Sequence, residues 1–162
     1  PLREGKGSTW EGGVRVPCIM RWPGTVPAGS TCGSLITSLD LLPTFMSMAK
    51  LSPLQTAIDG VDCSAVLRGD SAADPRDEFL YYYSRTLEAV RKGKWKLHLP
   101  HDYRCYEASI PGKDGFPGPT TTGRTGLELY DLEKDPADRR NVADLHPDIV
   151  DELKAIAAAQ PR

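Results

Sequence analysis

The sequence has few of the features that mark the more specialised classes of protein. Its apolar runs are all shorter than the roughly 18 to 20 residues of a membrane-spanning helix, so no membrane span is predicted. Acidic and basic residues are mixed along the chain and the net charge is -2, so no basic face is available for nucleic acid. These features favour neither a membrane-spanning helix in this sequence nor a nucleic-acid partner.

Cysteine is scarce and scattered. Cys18, Cys32, Cys63 and Cys105 show no C-x-x-C spacing and have no clustered histidine partners, so no structural zinc site is predicted. Two interpretations stay open for these thiols: all four are free and buried, or they form two disulfides in an exported protein. The sequence therefore predicts no metal site within these residues.

The remaining composition is that of an ordinary globular protein. Hydrophobic residues make up 40% and charged residues 26% of the 162 residues, which is enough for one domain with a core or for two small layers. We find no internal repeat.

The most informative stretch is glycine-rich and reads GKGSTWEGGVRVP over residues 5–17. Lys6 lies between two glycines, which allow the backbone to approach a ligand closely, and its ammonium is a point charge that small anions can reach. The pattern is not that of a phosphate-binding P-loop, because Lys6 is followed by Gly7 rather than by a serine or threonine. From composition alone, a surface lysine in a glycine-rich loop is the favoured interpretation.

The first half of the chain is predicted to hold one strand and one helix. Residues 14–22 alternate with period two, although Pro17 within them favours an edge or an irregularity. Asp40 can cap a following helix, whose apolar stripe consists of Leu42, Phe45, Met46 and Ala49. Residues 52–78 are predicted to form a crossing segment, with a boundary near residues 74–75.

The second half is predicted to form short strands and a final helix. Strands are expected at 79–83, 87–90, 95–99 and 127–132, with Gly93 in a hairpin turn. Residues 107–126 are expected to form a long loop. A helix is expected from Pro147, with its apolar stripe formed by Ile149, Val150, Leu153, Ile156 and Ala157. The fold class is therefore α+β, with about four antiparallel strands packed on a C-terminal helix.

Two groups on these strands are candidates for binding. Lys94, Lys96 and His98 share the polar face of one strand, where His98 is either solvated or available to a ligand. Tyr81, Tyr82 and Tyr83 could stack on a sugar, but consecutive aromatic residues in a strand are also typical of a core. In the glycine-rich stretch, Arg15 is placed to pair with Glu11.

Several stretches resemble sulfatases and occur in the order that the family shows. They are residues 5–24, ending in RWPG; residues 38–44, SLDLLPT; residues 79–98, containing FLYYYS and AVRKGKWKLH; residues 129–136, LYDLEKDP; and residues 141–147, which include NVA and HP. Together these stretches extend over nearly the whole chain, and the resemblance is to bacterial arylsulfatases of the secreted kind.

The resemblance implies an alkaline-phosphatase-like α/β domain followed by a small α+β subdomain. It also implies a formylglycine made within a C-x-P-S-R or S-x-P-S-R motif, and a calcium ion held by aspartate and asparagine side chains. This sequence has neither motif, and the paired aspartates of the metal site are absent. Calcium and formylglycine are therefore expected in an N-terminal portion of a longer enzyme, of which this chain resembles the last third.

In such a longer enzyme, residues 1–74 are expected to be the end of the catalytic domain and residues 75–162 the C-terminal subdomain. The resemblance assigns Lys6 to the active site, where it would bind the sulfate ester and stabilise the leaving oxygen. It also places the strand of His98 near the mouth of the active-site cleft, where His98 could touch the leaving group. No metal ligand is assigned.

The expected partners are an aryl or carbohydrate sulfate ester and the N-terminal catalytic part, in a periplasmic or extracellular setting. Two other hypotheses remain: a non-catalytic binding module derived from a sulfatase tail, and part of a related enzyme that hydrolyses phosphate esters or diesters.

Overall fold

A computed structural model describes residues 2–70, 72–106, 110, 112–116 and 118–160. The α-helices are α1 Glu11–Val14, α2 Leu41–Met48, α3 Ser64–Leu67 and α4 Pro147–Ala158. The strands are β1 Glu78–Tyr83, β2 Thr86–Lys92, β3 Trp95–His98, β4 His101–Cys105, β5 Thr121–Thr125 and β6 Glu128–Asp131. Short 3-10 helices occur at Ser38–Asp40 and Ala143–Leu145. Within the described residues, no helix is long and apolar enough to cross a bilayer.

The chain divides into two compact units. One comprises Pro1–Val16 together with Glu78–Arg162, and the other is Pro17–Asp77. The division after residue 77 lies close to the boundary expected near residues 74–75, but the first sixteen residues group with the C-terminal sheet. The assignment of 1–74 and 75–162 to domains of a parent enzyme stays a prediction.

A four-stranded antiparallel sheet organises the first unit, in the order β1-β2-β3-β6. The predicted hairpin is present between β2 and β3, and Gly93 adopts a φ of 52° in its turn. One face of the sheet packs on α4 through Val90, Leu97 and Leu129, which meet Val150 and Leu153 of the helix. The α+β class and the sheet-on-helix arrangement are confirmed.

The strand predicted at residues 14–22 is not formed. Instead, the chain makes the single turn α1, in which the backbone N–H groups of Val14 and Arg15 bond to the carbonyls of Trp10 and Glu11. Beyond this turn Val16 is 77% exposed and Ile19 is 95% exposed. Alternation alone does not make a strand, because the backbone must also pair with a neighbour.

The helix expected after Asp40 is present as α2, but its apolar stripe does not form the buried side. Leu42 and Phe45 are exposed, whereas Thr44 is buried and its Oγ1 accepts a hydrogen bond from the Cys63 N–H over 2.9 Å. Asp40 fixes this orientation through its ion pair with Arg76. Burial alone would raise the pKa of Asp40, but the hydrogen bonds from Arg76 and from backbone N–H groups lower it below its usual value.

The long loop expected at 107–126 is partly wrong. The strand β5 occupies its last residues and pairs with β4 in a separate two-stranded sheet. Residues 107–109, 111 and 117 of that stretch lie outside the described residues. The polar, threonine-rich composition of β5 hides the strand from a hydrophobic pattern.

The four cysteines are free thiols in this structure. Cys63 is buried, but Cys18 and Cys32 are exposed, so the interpretation of four buried thiols describes only part of the set. Burial raises the pKa of the Cys63 thiol, which keeps it protonated near neutral pH.

Candidate functional site

The segment around Lys6 is a tightly folded loop rather than a flexible one. The Gly12 N–H donates to the Arg3 carbonyl over 2.8 Å, and the Ser8 hydroxyl donates to the Gly5 carbonyl over 2.9 Å. A Cβ at Gly12 would lie 2.3 Å from the Arg3 carbonyl oxygen, so only glycine fits there. We refer to residues 3–13 as the Lys6 loop.

Lys6 is the exposed residue of this loop. Its side chain has no hydrogen bond or ion pair with any residue in the described part of the chain, whereas its backbone carbonyl accepts a hydrogen bond from the Tyr106 hydroxyl over 2.8 Å. Gly7 follows with a φ of 96°, a left-handed conformation that glycine adopts without strain. The loop therefore fixes the backbone of Lys6 and leaves its ammonium available.

Trp10 anchors the loop to the sheet. Its ring is fully buried and stacks on the ring of His98, with 3.8 Å between centroids and 14° between planes. Tyr103 and Tyr130 meet the indole edge-on, at 5.3 and 5.8 Å. The Arg3 guanidinium lies over the indole at 3.6 Å from the ring centre, in cation–π geometry.

Beside Trp10, Glu11 and Lys96 form a buried ion pair. The Lys96 ammonium lies 2.8 Å from the Glu11 carboxylate and donates a second hydrogen bond to the Thr9 carbonyl over 2.6 Å. Asp138 completes the group: its carboxylate lies 3.7 Å from the ammonium and accepts a hydrogen bond from the Glu11 backbone N–H over 3.0 Å. Three consecutive loop residues are thus held by groups on or beside the sheet.

The pKa values of this group reflect its burial. Burial lowers the pKa of Lys96 below its usual value, although the carboxylates of Glu11 and Asp138 favour the charged ammonium. Burial raises the pKa of Asp138 to about 6, while the Lys96 charge acts in the opposite direction. The cluster therefore combines groups whose charge states depend on one another.

His98 is fully buried, so the interpretation of a solvated histidine on an open sheet face is wrong. Neither ring nitrogen has a hydrogen-bond partner within the described residues, and Nε2 lies 4.0 Å from the Asp138 carboxylate. Burial and the neighbouring Lys96 charge hold the pKa of His98 well below its usual value, so the ring is neutral near pH 7. A contact between His98 and a substrate stays a prediction.

A third attachment joins the Lys6 loop to strand β2. The Thr9 hydroxyl donates to the Glu88 carboxylate over 2.8 Å, and His101 Nε2 lies 3.4 Å from the same carboxylate. The β1–β2 pairing skips Glu88, because Tyr81 pairs with Ala89 and Tyr82 with Leu87. This bulge directs the Glu88 side chain toward the loop, which is a common role of bulges.

The sequence pattern points to Lys6 as a candidate but not to the residues that hold its loop. It places Lys96 only on the polar face of a strand and assigns no role to Asp138. Glu11 was expected to pair with Arg15, and that pair exists at 4.0 Å, but the closer partner is Lys96. Polar residues alternating along a strand signal either solvent or a buried polar contact, and periodicity cannot separate the two.

The three tyrosines of β1 divide between the two interpretations. Tyr81 is buried, and burial raises the pKa of its hydroxyl to about 12. Tyr82 and Tyr83 are 48% and 47% exposed. The core interpretation therefore fits Tyr81, and the two others offer aromatic surface.

Among the described residues, no group of three or more histidine, cysteine, aspartate or glutamate side chains is arranged to hold a metal ion. A calcium site in an N-terminal portion stays a prediction.

Comparisons with known proteins identify both halves of the chain. A family model described as "N-sulphoglucosamine sulphohydrolase, C-terminal" matches residues 5–99, and one described as "C-terminal region of aryl-sulfatase" matches residues 74–161. Arylsulfatase A of Homo sapiens is 35% identical over 96% of this chain and 32% of its own length. N-acetylgalactosamine-6-sulfatase of Sus scrofa is 34% identical over 96% of this chain and 31% of its own length.

A solved structure has the same fold. The PsFucS1 sulfatase from Pseudoalteromonas sp. superposes with a TM-score of 0.76 at 24% identity, covering 98% of this chain and 32% of that protein. The chain thus spans about a third of the length of the proteins it matches.

Proposed function

Because this chain belongs to the sulfatase family, whose C-terminal region it matches, we propose that it is the C-terminal part of a sulfuric ester hydrolase and supplies Lys6 to the sulfate ester. The observation that carries the proposal is the contrast within the Lys6 loop. Its neighbours Thr9, Trp10 and Glu11 are buried and bonded, whereas the Lys6 ammonium is exposed and has no partner among the described residues.

The chemistry requires such a group. Hydrolysis of a sulfate ester builds negative charge on the sulfuryl and leaving-group oxygens, and a cation held in position lowers the barrier without reorganising during the reaction. The fixed backbone of Lys6 limits where the ammonium can move, so less entropy is lost when it meets the ester.

The finer parts of the proposal rest on the resemblance. The parent enzyme would be a bacterial, formylglycine-dependent sulfatase acting in the periplasm or outside the cell, with its nucleophile and calcium in the N-terminal portion. Its substrate would be an aryl or carbohydrate sulfate, and the names of the two relatives include one of each kind. The chain alone would hydrolyse no sulfate ester, because Lys6 offers charge but no covalent step.

His98 takes a secondary part in this proposal. A contact with the leaving group would require Trp10 to shift, because its indole covers the His98 ring at 3.8 Å. We therefore expect His98 to influence substrate preference and KM more than kcat.

The test is kinetic and uses the chain joined to the N-terminal portion encoded upstream of it. Lys6→Ala is expected to lower kcat by about 100- to 1000-fold, the usual loss when one charge stabiliser is removed. The decrease in kcat for His98→Ala is expected to be at least about tenfold smaller than that for Lys6→Ala. Lys134→Ala, which removes another exposed lysine, serves as the control.

Two aryl sulfates with different leaving groups should be compared. Near wild-type kcat for Lys6→Ala on both substrates would show that Lys6 does not face the ester. Preferential hydrolysis of phosphate esters by the joined protein would favour the phosphoesterase hypothesis instead.

One observation favours the second candidate, a non-catalytic binding module. Residues 17–77 expose several large apolar side chains, namely Ile19, Leu42, Phe45, Leu51 and Leu54. Exposed apolar surface is typical of an interaction site. An upstream reading frame that contains C-x-P-S-R or S-x-P-S-R would favour the hydrolase, and a stop codon followed by a separate start would favour the module.

A further inference from the structure

A cleft of about 290 Å³ opens beside the Lys6 loop in the first compact unit. Gly7, the neighbour of Lys6 in the chain, forms part of its wall, and the Arg104 guanidinium lies against Gly7. A Cβ at Gly7 would lie 3.1 Å from that guanidinium, so the cleft and the loop are in direct contact. A volume of this size lies near the lower end of the range for small-molecule sites.

The polar groups of the cleft include both donors and acceptors. Arg104 donates and has no carboxylate partner among the described residues, whereas Glu88 and Asp102 can only accept when ionised. The hydroxyls of residues 120–122, three consecutive threonines, both donate and accept. A ligand that carries several hydroxyl groups can satisfy such a mixture.

The charges of the lining do not favour a second anion. The described lining includes the carboxylates of Glu88 and Asp102 and the guanidinium of Arg104, and Arg124 lies 3.8 Å from Asp102, so the charges balance. A sulfate or carboxylate placed here would meet no excess of positive charge. The lining therefore favours an uncharged ligand.

Aromatic surface is present as well. Tyr83 lines the cleft and is half-exposed, and the ring of Tyr103 forms another part of the wall. Gly123 makes room for Tyr103, because a Cβ there would lie 2.6 Å from the tyrosine Cζ. A sugar ring offers C–H groups to an aromatic face and hydroxyls around its edge, whereas a simple aryl group offers only the apolar surface.

We propose that this cleft binds the uncharged sugar ring of a carbohydrate sulfate ester whose sulfate lies at Lys6. The inference rests on the proposed function and makes it more specific, because it selects a carbohydrate rather than an aryl leaving group. Tyr83 supplies the apolar contact, and Arg104, Glu88 and the threonines bind the hydroxyl groups.

The experiment uses the chain itself and needs no hydrolysis. Amide resonances of the ¹⁵N-labelled protein are followed by NMR during titration with galactose and, separately, with 4-nitrophenol. Galactose is expected to shift the amides of Gly7, Thr121 and Gly123, and 4-nitrophenol is expected to bind this cleft less tightly.

Two neighbouring tyrosines provide a matched control. Tyr82 and Tyr83 are equally exposed, but only Tyr83 is among the described lining residues. Tyr83→Ala is expected to weaken galactose binding about fivefold, Tyr82→Ala by less than about twofold, and Tyr83→Phe to retain most of the affinity. Tyr83→Phe also shows whether a loss in Tyr83→Ala reflects the missing ring.

Three results would overturn the proposal: galactose shifts none of these amides, 4-nitrophenol binds the cleft more tightly than galactose, or both alanine variants lose affinity equally. None of them bears on Lys6, whose role is tested by kcat in the joined enzyme. A failure of that kinetic test with galactose still bound in the cleft would reject the role of Lys6 and leave the sugar site in place.

Discussion

The two faces of the four-stranded sheet are covered in opposite ways. On one face, Val90, Leu97 and Leu129 pack against Val150 and Leu153 of α4, and the contact is apolar throughout. On the other face, Lys96, His98 and Tyr130 pack against Trp10 and Glu11 of the Lys6 loop, and most contacts involve polar or charged groups. Both faces are buried, so burial alone does not explain the difference.

The difference lies in what each covering element needs. A helix carries its own backbone hydrogen bonds, so an apolar stripe is enough to attach it. A loop has backbone groups that must find partners, and Lys96 and Asp138 supply them to the Thr9 carbonyl and the Glu11 N–H. The polar face thus fixes the position of a backbone segment through hydrogen bonds, whereas the apolar face stabilises the packing of α4 without binding any of its backbone groups.

The largest expected effect follows from breaking the ion pair on the polar face. Glu11→Ala leaves Asp138, at 3.7 Å, as the nearest carboxylate to the buried Lys96 ammonium, and the free energy of unfolding is expected to fall by about 3 to 5 kcal/mol. On the apolar face Leu153→Ala should cost about 2 to 5 kcal/mol, because it leaves a cavity. Urea unfolding of both variants checks the comparison, and a loss below about 1 kcal/mol for Glu11→Ala would show that the pair is not buried as described.

Replacing the whole charged group sharpens the comparison. Glu11→Leu combined with Lys96→Met and Asp138→Asn removes all three charges and keeps similar volume, so the free energy of unfolding is expected to stay within about 1 kcal/mol of wild type. The loop should nevertheless loosen, with amide hydrogen exchange at Gly7 and Ser8 rising about tenfold, because the Thr9 carbonyl loses its donor. Unchanged exchange rates would mean that the charged group does not position the loop.

A smaller effect is the pH dependence of stability, to which the neighbouring residues His98 and Asp138 contribute in opposite directions. The folded-state pKa of His98 lies well below 6.5, so the unfolded chain binds a proton that the folded chain does not, and this position loses stability as pH falls below about 6.5. The pKa of Asp138 is raised from 3.8 to about 6, so the folded chain binds the extra proton there, and stability is lost as pH rises through that window.

Variants separate these two contributions. The difference in unfolding free energy between wild type and His98→Gln should rise with pH from about 5 to 7, by at most about 1.4 kcal/mol per pH unit. The difference between wild type and Asp138→Asn should fall with pH from about 4 to 6. His146→Gln, which replaces another histidine, serves as the control in the same denaturation measurements. If the differences for His98→Gln and Asp138→Asn changed with pH in the same direction, the opposite contributions of His98 and Asp138 would be contradicted.

Much of the apolar face could be predicted from the sequence, and little of the polar face could. The stripe of Val150 and Leu153 and the alternation of Leu97 with its neighbours are periodic, and periodicity predicts which side is buried. Along the sequence, Lys96 is 85 residues and Asp138 is 127 residues from Glu11, to which both are bonded. No local pattern reports such contacts, so their burial becomes visible only in the folded chain.

The Lys6 site shows the same limit. Lys6 stands out because the surrounding glycines and Trp10 form a local sequence pattern. The burial of His98, by contrast, depends on Trp10, which lies 88 residues before it in the sequence. The predicted buried side of α2 was wrong for a related reason. Asp40 and Thr44 make polar contacts that turn their side of the helix inward, and Leu42 and Phe45 are left exposed. Specific polar contacts decided both outcomes.

The smallest expected effect concerns the other partner of Glu11. Arg15 lies 4.0 Å from the Glu11 carboxylate and its side chain is 56% exposed, so water and salt screen the interaction. Arg15→Ala is expected to lower the free energy of unfolding by less than about 1 kcal/mol, because Glu11 keeps its 2.8 Å contact with Lys96. Urea unfolding at low and high salt measures it, and the small loss should shrink further as salt rises. A loss comparable to that of Glu11→Ala would mean that the exposed arginine, rather than the buried lysine, holds the carboxylate, and the distinction between the two faces would then have to be redrawn.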